Sequence, residues 1–347
     1  MSHGEARRRS QRTRIVALIW IGSIAVAVAA SAISLFALNG SLYSASSFVL
    51  RYFDNITSDN IGEMLRTPGV AIDPKNPKFG LPAATSTALL RSGTISTYPK
   101  HVRIDSDRTH SDGSHTVAVD FELDGQAFQA SYQIAPAAPL FGVINRWRFV
   151  SSPLQLLSVE LQHGTHVQVG NLTLDARASS SDDPAAFSRT AHYLAVAPAM
   201  YTLSYNSDLV AAAPSHATVL PAHENSVVVD VEPTPSLVTK VQDKLDDFLA
   251  ECVTQEVLQP TGCPFGATIN DRVTGAPSWS IVSNPVVTLE PGADGFTMPQ
   301  TPGVVHLKVQ VQSLYDGATS TTSRDVSYQV GLTLQLRDDG SLSIVLE

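Results

Sequence analysis

The longest uniform feature of the sequence is an apolar run near its amino terminus. Ile15 to Leu38 are 24 residues without one ionisable side chain. A helix of that length extends about 36 Å at a rise of about 1.5 Å per residue, whereas the hydrocarbon core of a bilayer is about 30 Å thick. The run therefore predicts a transmembrane helix over residues 15–38. Small residues at positions 27–32 leave cleavage as a signal peptide as the alternative.

Residues 43–153 combine a helical pattern with an alternating one. Apolar side chains recur at three- and four-residue steps over residues 44–66, which is typical of a half-buried helix. Residues 115–123 and 126–134 then alternate apolar and polar positions on either side of Asp124-Gly125. Because Asp-Gly suits a type I′ turn, this pattern predicts a β-hairpin. We expect an α+β unit with a curved antiparallel sheet.

The pattern changes over residues 154–232 and then returns to its first form. The middle stretch holds several short apolar runs separated by Gly, Asn and Pro, and predicts a small all-β sandwich. Thr234-Pro235 then gives a helix N-cap and a first helical residue. Four strand-like runs follow this helix up to the end of the chain. Residues 234–347 therefore predict a second α+β unit, and α+β is the expected fold class.

A basic cluster directly precedes the apolar run. Residues 1–14 contain five arginines and one glutamate, a net charge of +4. Because the whole chain has a formal net charge of −9, the remaining residues carry −13. Basic residues beside a spanning helix remain in the cytoplasm, which predicts a cytoplasmic tail over residues 1–14 and an extracellular remainder. The acidic remainder disfavours nucleic acid as a partner. The orienting arginines are Arg7, Arg8, Arg9, Arg12 and Arg14.

The chain has two cysteines, Cys252 and Cys263, and both fall in the part predicted to be exported. An extracytoplasmic environment permits disulfides, so we expect these two cysteines to form one. The stretch between them has no histidine and no second cysteine pair, so a metal site is disfavoured.

Candidate chemistry elsewhere is sparse. The sequence has no G-x-S-x-G motif and no glycine-rich phosphate loop, so we expect no catalytic set, no metal and no cofactor. His163 and His166 are interpreted as exposed histidines. The cluster of Asp105, Asp107, His110, Asp112 and His115 lacks a complete calcium loop and is interpreted as a solvated turn.

Two further sets of residues leave alternatives open. Trp147, Phe149 and Trp279 lie in alternating apolar runs, which favours core packing over carbohydrate stacking. The sequence does not decide whether any of four residues faces a cavity, where it would act as an acid or base. They are Tyr52, Asp54, Asp120 and Tyr132.

The order of these segments resembles that of a known family. The segments are the apolar run, FVLRYFDNITSDNIGEML, WRFVSSPLQLLSVEL and the helix returning at Ser236. They are similar to membrane-anchored envelope proteins of Gram-positive bacteria of the teicoplanin-resistance-associated TcaA type, which carry NTF2-like domains outside the membrane. The resemblance implies two NTF2-like domains, over residues 43–153 and 234–347, that flank the β-sandwich. The chain lacks the amino-terminal zinc ribbon of many such proteins, and no catalytic residue carries over.

These observations predict a function class. We expect a non-enzymatic, single-pass, membrane-anchored binding or scaffolding protein of the bacterial cell envelope. Its expected partners are the lipid bilayer and an envelope protein or cell-wall component. The alternatives are a hydrolase or isomerase that uses a pocket in an NTF2-like cone, and an envelope sensor or regulator.

Overall fold

The computed structural model describes residues 20–31, 33–34, 37–183, 186–336 and 342–346. The chain is mostly β, with 45% strand and 20% helix, so the expected α+β class is wrong. Two causes are visible in the strands. The polar segment Lys100–Thr109 and the proline-containing segment Val210–Val219 form strands that the hydropathy pattern did not predict. In addition, one hairpin near the carboxyl end pairs strands of 17 and 18 residues.

The predicted transmembrane helix is also corrected. Among the described residues, no helix is long and apolar enough to cross a membrane. Within the described part of this end, residues 20–31, 33–34 and 37–40 are helical. Residues 15–19, 32, 35 and 36 of the predicted span lie outside the described part of the chain, as do the five arginines before it.

The first group of elements is two helices and a four-stranded antiparallel sheet. The helical pattern over residues 44–66 forms α1 (Ala45–Thr57) and α2 (Ile61–Arg66). Ser44 caps α1, since its Oγ accepts a hydrogen bond from the Ser47 amide at 3.1 Å. The sheet has the order β1-β2-β3-β4. Its strands are β1 (Lys100–Thr109), β2 (His115–Leu123), β3 (Gln126–Leu140) and β4 (Ile144–Phe149).

The β2–β3 hairpin confirms the predicted turn. Asp124 and Gly125 both have positive φ, 52° and 76°, as a type I′ turn requires. Alternate residues of β2 point into the core beneath α1, where Val117, Val119, Phe121 and Leu123 are buried. The opposite face of the sheet therefore carries the polar residues of β1, β2 and β3.

Two sheets follow over residues 155–233. One has the order β11-β5-β8, with β11 parallel to β5, and the other has the order β12-β10-β9-β6-β7. The first contains β5 (Gln155–Gln162), β8 (Arg189–Ala195) and β11 (Asn225–Asp230). The second contains β6 (His166–Val169), β7 (Leu172–Asp175), β9 (Ala199–Asn206), β10 (Val210–Val219) and β12 (Glu232–Pro233).

The connection between α2 and β1 packs against these sheets. It includes a short 3-10 helix, Pro77–Phe79, and forms isolated bridges from Ser86 to Tyr193 and from Thr97 to Met200. At Gly170 a Cβ atom would lie 2.0 Å from the Gly93 carbonyl oxygen, so the two backbones meet without room for a side chain.

The last group pairs one helix with a six-stranded sheet. Thr234 caps α3 (Pro235–Cys252), whose buried face includes Leu237, Val241, Leu245 and Leu249. In the sheet, β13, β14, β15 and β17 all pair with β16, and β18 pairs with β17. The bounds are β13 (Arg272–Val273), β14 (Ser278–Ser283), β15 (Glu290–Pro291), β16 (Phe296–Gln312), β17 (Thr319–Leu336) and β18 (Leu342–Leu346). The structure includes a sheet curled into a half-barrel.

Candidate functional site

A cleft of about 530 Å³ opens on the polar face of the first sheet. Arg103 on β1, Asp120 on β2 and Gln129 on β3 stand side by side in the strand register, which brings one polar residue from each strand to the same row. The next row holds Glu122 opposite Ala127, whose methyl side chain leaves room above the sheet. The cleft is lined by His101, Arg103, Asp120, Phe121, Glu122, Ala127, Phe128 and Gln129.

A β-bulge in β1 shapes one end of this cleft. Lys100 pairs with Glu122 and Arg103 with Asp120, so β1 has one more residue than β2 between these pairs. His101 lies in the bulge with a φ of 51°, in the left-handed region that side chains other than glycine seldom adopt. Its Nδ1 lies 2.8 Å from Glu122 Oε2. The bulge thus turns an imidazole toward the cleft.

Hydrogen bonds across three strands hold the other polar groups in place. Arg103 donates from Nε and Nη2 to Asp120 Oδ2, both at 3.2 Å. Gln129 Nε2 donates to the other carboxylate oxygen of Asp120 at 2.8 Å. Each carboxylate in the cleft already faces a guanidinium or imidazole partner, so neither is a free counter-charge, while the cleft offers several donors and acceptors.

A second set of hydrogen-bonded polar side chains lies at the other end of the same sheet. Asp107 accepts a hydrogen bond from Ser46 Oγ at 2.5 Å, and its other oxygen lies 2.5 Å from His115 Nδ1. The His115 ring packs edge-on against Trp147 at 4.8 Å. Asp105 and Asp107 belong to strand β1, so the prediction that they lie in a solvated turn is wrong. His110 and Asp112 do lie in the β1–β2 turn, as predicted.

A third set of hydrogen-bonded polar side chains lies on the exposed face of the last sheet. His306 on β16 pairs in register with Asp325 on β17, and its Nδ1 lies 2.7 Å from Asp325 Oδ1. Its Nε2 lies 2.8 Å from Ser323 Oγ. Sequence reasoning missed this set because the histidine is 17 residues away from the serine. The only local signal is that Ser323 and Asp325 alternate on one strand face.

The four candidate acids and bases do not meet in a cavity. Tyr52 and Tyr132 are buried in the aromatic core, where burial raises the pKa of each hydroxyl well above its usual value. The Tyr52 hydroxyl donates to the Ala197 carbonyl oxygen at 2.6 Å. Asp54 is exposed on α1. Only Asp120 lies in the cleft.

The histidines of the HGTH segment have separate partners. His163 Nδ1 lies 2.7 Å from Asp230 Oδ1, and His166 Nδ1 lies 2.9 Å from Thr165 Oγ1. Within the part of the chain that the structure describes, no group of three or more His, Cys, Asp or Glu residues is placed to hold a metal ion.

The three candidate stacking aromatics have different environments. Phe149 and Trp279 are buried, as core packing predicts. Trp147 is half-buried, and its Nε1 donates to the Tyr43 carbonyl oxygen at 2.7 Å.

The predicted disulfide between Cys252 and Cys263 is confirmed, with an S–S distance of 2.05 Å. It joins the end of α3 to the loop that follows. The Val257 carbonyl in that loop accepts a hydrogen bond from Trp279 Nε1 at 2.8 Å, so the loop is also held to the sheet.

Comparison of the chain with protein-family models, curated proteins and solved structures gave no significant match. The resemblance to the TcaA type and its NTF2-like domains stays a prediction, as do the predicted domain boundaries.

Proposed function

We propose that the protein is a non-enzymatic binding or scaffolding protein of the bacterial cell envelope, and that the cleft on the first sheet is its ligand site. The observation that carries this proposal is the row of Arg103, Asp120 and Gln129, which fixes charged and amide groups across three strands at an open surface. A volume of about 530 Å³ lies within the usual range for small-ligand sites.

The chemistry of the cleft favours a neutral, hydroxyl-rich ligand. A strongly charged polymer would have to displace the Arg103–Asp120 or His101–Glu122 pair to gain a free counter-charge. A sugar instead accepts from the arginine and glutamine N–H groups and donates to the carboxylates while both pairs stay formed. The ligand class that fits best is therefore a cell-wall glycan.

The disulfide supports a place outside the cytoplasm. Disulfides persist in oxidising compartments and are rare where glutathione and thioredoxin keep thiols reduced. Both cysteines of the chain are used in this one bond.

Sedimentation with purified, insoluble peptidoglycan tests the proposal. Arg103→Ala removes the guanidinium N–H groups that Asp120 leaves free for a ligand, so we expect binding to weaken about tenfold or more. Arg108→Ala is the matched control, because Arg108 is exposed on the same strand and pairs with Thr116, outside the cleft. The proposal fails if the wild-type chain does not sediment, or if both variants bind equally.

The hydrogen-bonded side chains of Ser323, His306 and Asp325 favour hydrolysis as a second candidate function. In this reaction Ser323 Oγ bonds to the carbonyl carbon of an ester while His306 Nε2 takes its proton. The ester C–O bond then breaks, and the leaving alcohol takes the proton from His306. Water repeats the sequence and releases the acid. Asp325 orients the imidazole throughout.

Labelling with a fluorophosphonate tests this candidate. We expect the probe on Ser323 by peptide mass spectrometry, and loss of the label in His306→Ala. Ser327→Ala is the control, since Ser327 is exposed on the same strand two positions beyond Asp325. An unlabelled Ser323, or equal labelling in His306→Ala, rules out the hydrolase.

A further inference from the structure

The β3–β4 hairpin ends in an exposed apolar surface, the apolar tip, that does not contribute to the core. Phe141 is 86% exposed at its summit, and Leu140 and Val143 are exposed on either side. Asn39 joins this hairpin to the end of the preceding helical segment: its Nδ2 donates to the Val143 carbonyl at 2.7 Å, and its Oδ1 accepts from the Asn145 amide at 3.1 Å. The apolar tip consists of Leu38, Leu42, Leu140, Phe141 and Val143, all exposed.

The turn at the apolar tip contains a residue that its backbone conformation disfavours. The Val143 amide donates to the Leu140 carbonyl at 3.2 Å, and the two residues between them have φ values of 53° and 76°. Such a turn has positive φ at both central positions and favours Asn, Asp or Gly at the first. Here that position is Phe141, whereas the first positive-φ position of the β2–β3 connection is Asp124. Neither burial nor backbone preference explains a phenylalanine at this place.

Arginines flank the apolar tip. Arg146 and Arg148 are exposed on β4, directly after it, and neither forms an ion pair with another described residue. On the other side, Arg51 Nη1 donates to the Leu42 carbonyl at 2.8 Å, which places a guanidinium beside the tip. Exposed apolar side chains beside cationic side chains match a partner that has an anionic outer layer over an apolar interior.

We propose that the apolar tip is a docking surface for an anionic lipid bilayer, with Phe141 entering the acyl-chain boundary and the three arginines contacting headgroup phosphates. The contact uses only the tip and its flanking arginines and requires no spanning helix. It goes beyond the proposed glycan site, because the cleft residues have no part in it.

A second exposed aromatic provides an internal comparison. Tyr315 is fully exposed in the β16–β17 connection next to the exposed Leu314, but it is followed by Asp316. The carboxylate beside this aromatic is repelled by anionic lipid. Exposure of an aromatic alone therefore predicts lipid contact at both places, whereas the proposal predicts it only at Phe141.

The test uses the full chain and vesicles of phosphatidylglycerol and phosphatidylethanolamine. Phe141→Asp places a residue that tolerates positive φ at the first central position of the turn, so the urea midpoint of unfolding should be equal or higher. Co-sedimentation with the vesicles should weaken, since one aromatic side chain no longer leaves water, while the exposed apolar side chains of residues 20–28 and 33 keep part of the binding. Tyr315→Asp should sediment like the wild-type chain.

A local probe excludes binding through other parts of the chain. An environment-sensitive fluorophore on Phe141→Cys should shift its emission to the blue on addition of these vesicles, and the same fluorophore on Tyr315→Cys should not. Pure phosphatidylcholine vesicles should give a weaker shift at position 141. The proposal is overturned by no shift at position 141, by equal shifts at both positions, or by self-association that depends on Phe141 without any lipid-induced shift.

Discussion

At the scale of single residues, two buried tyrosines in the first core differ in one respect. Tyr52 and Tyr132 lie together with Phe53 and Phe149 in a set of mutually packed rings. The Tyr52 hydroxyl donates to the Ala197 carbonyl. The Tyr132 hydroxyl has no hydrogen-bond partner among the described residues. Both hydroxyls stay protonated because burial raises the pKa of each.

We therefore expect opposite results from the same chemical change. Tyr52→Phe leaves the Ala197 carbonyl unsatisfied and should lower the free energy of unfolding by about 1–3 kcal/mol. Tyr132→Phe removes a hydroxyl that already lacks a partner, so it should be neutral or stabilising. Urea unfolding of the two variants measures the difference. Equal losses in both would contradict the assigned hydrogen bonding.

The cleft shows why single residues of this site were hard to predict. Asp120 is one of the four residues for which the sequence leaves open a place in a cavity as an acid or base. His101 and Arg103 were missed because Lys100–Thr109 is polar along most of its length and was interpreted partly as a turn. No residue of β1 is fully buried, so the strand needs no continuous apolar face. The bulge that turns His101 toward Glu122 leaves no sequence pattern.

At the scale of elements, the sequence predicted the turns and helix starts that depend on residues adjacent in the chain. The Asp124-Gly125 turn and the helix beginning after Thr234 both occur as expected, because each depends on residues adjacent in sequence. Strand β10 was missed because Pro214 was interpreted as a break. The structure accommodates Pro214 at an irregularity in the register between Ala212 and Ser215, where no ladder hydrogen bond is needed.

The disulfide gives the prediction at this scale. It closes a loop with a sequence separation of 11 residues at the end of α3, and loop-closure entropy gives about 3 kcal/mol for a loop of this size. A double variant, Cys252→Ala with Cys263→Ala, should lower the free energy of unfolding by about that amount. Reduction of the wild-type chain should have a similar effect and should leave the double variant unchanged. A double variant as stable as the oxidised wild type would contradict this expectation.

At the scale of the whole molecule, the groups of sheets are joined by contacts that no sequence pattern predicts. Tyr52 on α1 reaches Ala197 between β8 and β9. The rings of His163, Phe187 and Phe296 pack together, with Phe187 and Phe296 at 5.2 Å, and link the middle sheets to β16. These pairs are tens to more than a hundred residues apart in sequence. The order of the strands could be predicted in large part, but their partners across sheets could not.

The most direct measurement of the central claim is amide hydrogen exchange of the full chain with and without soluble peptidoglycan fragments. If the cleft is the ligand site, exchange should slow in residues 100–103, 120–122 and 127–129, stay unchanged in residues 306–325, and show no slowing in Arg103→Ala. Unchanged exchange in those three cleft segments, or slowing confined to another part of the chain, would contradict the account.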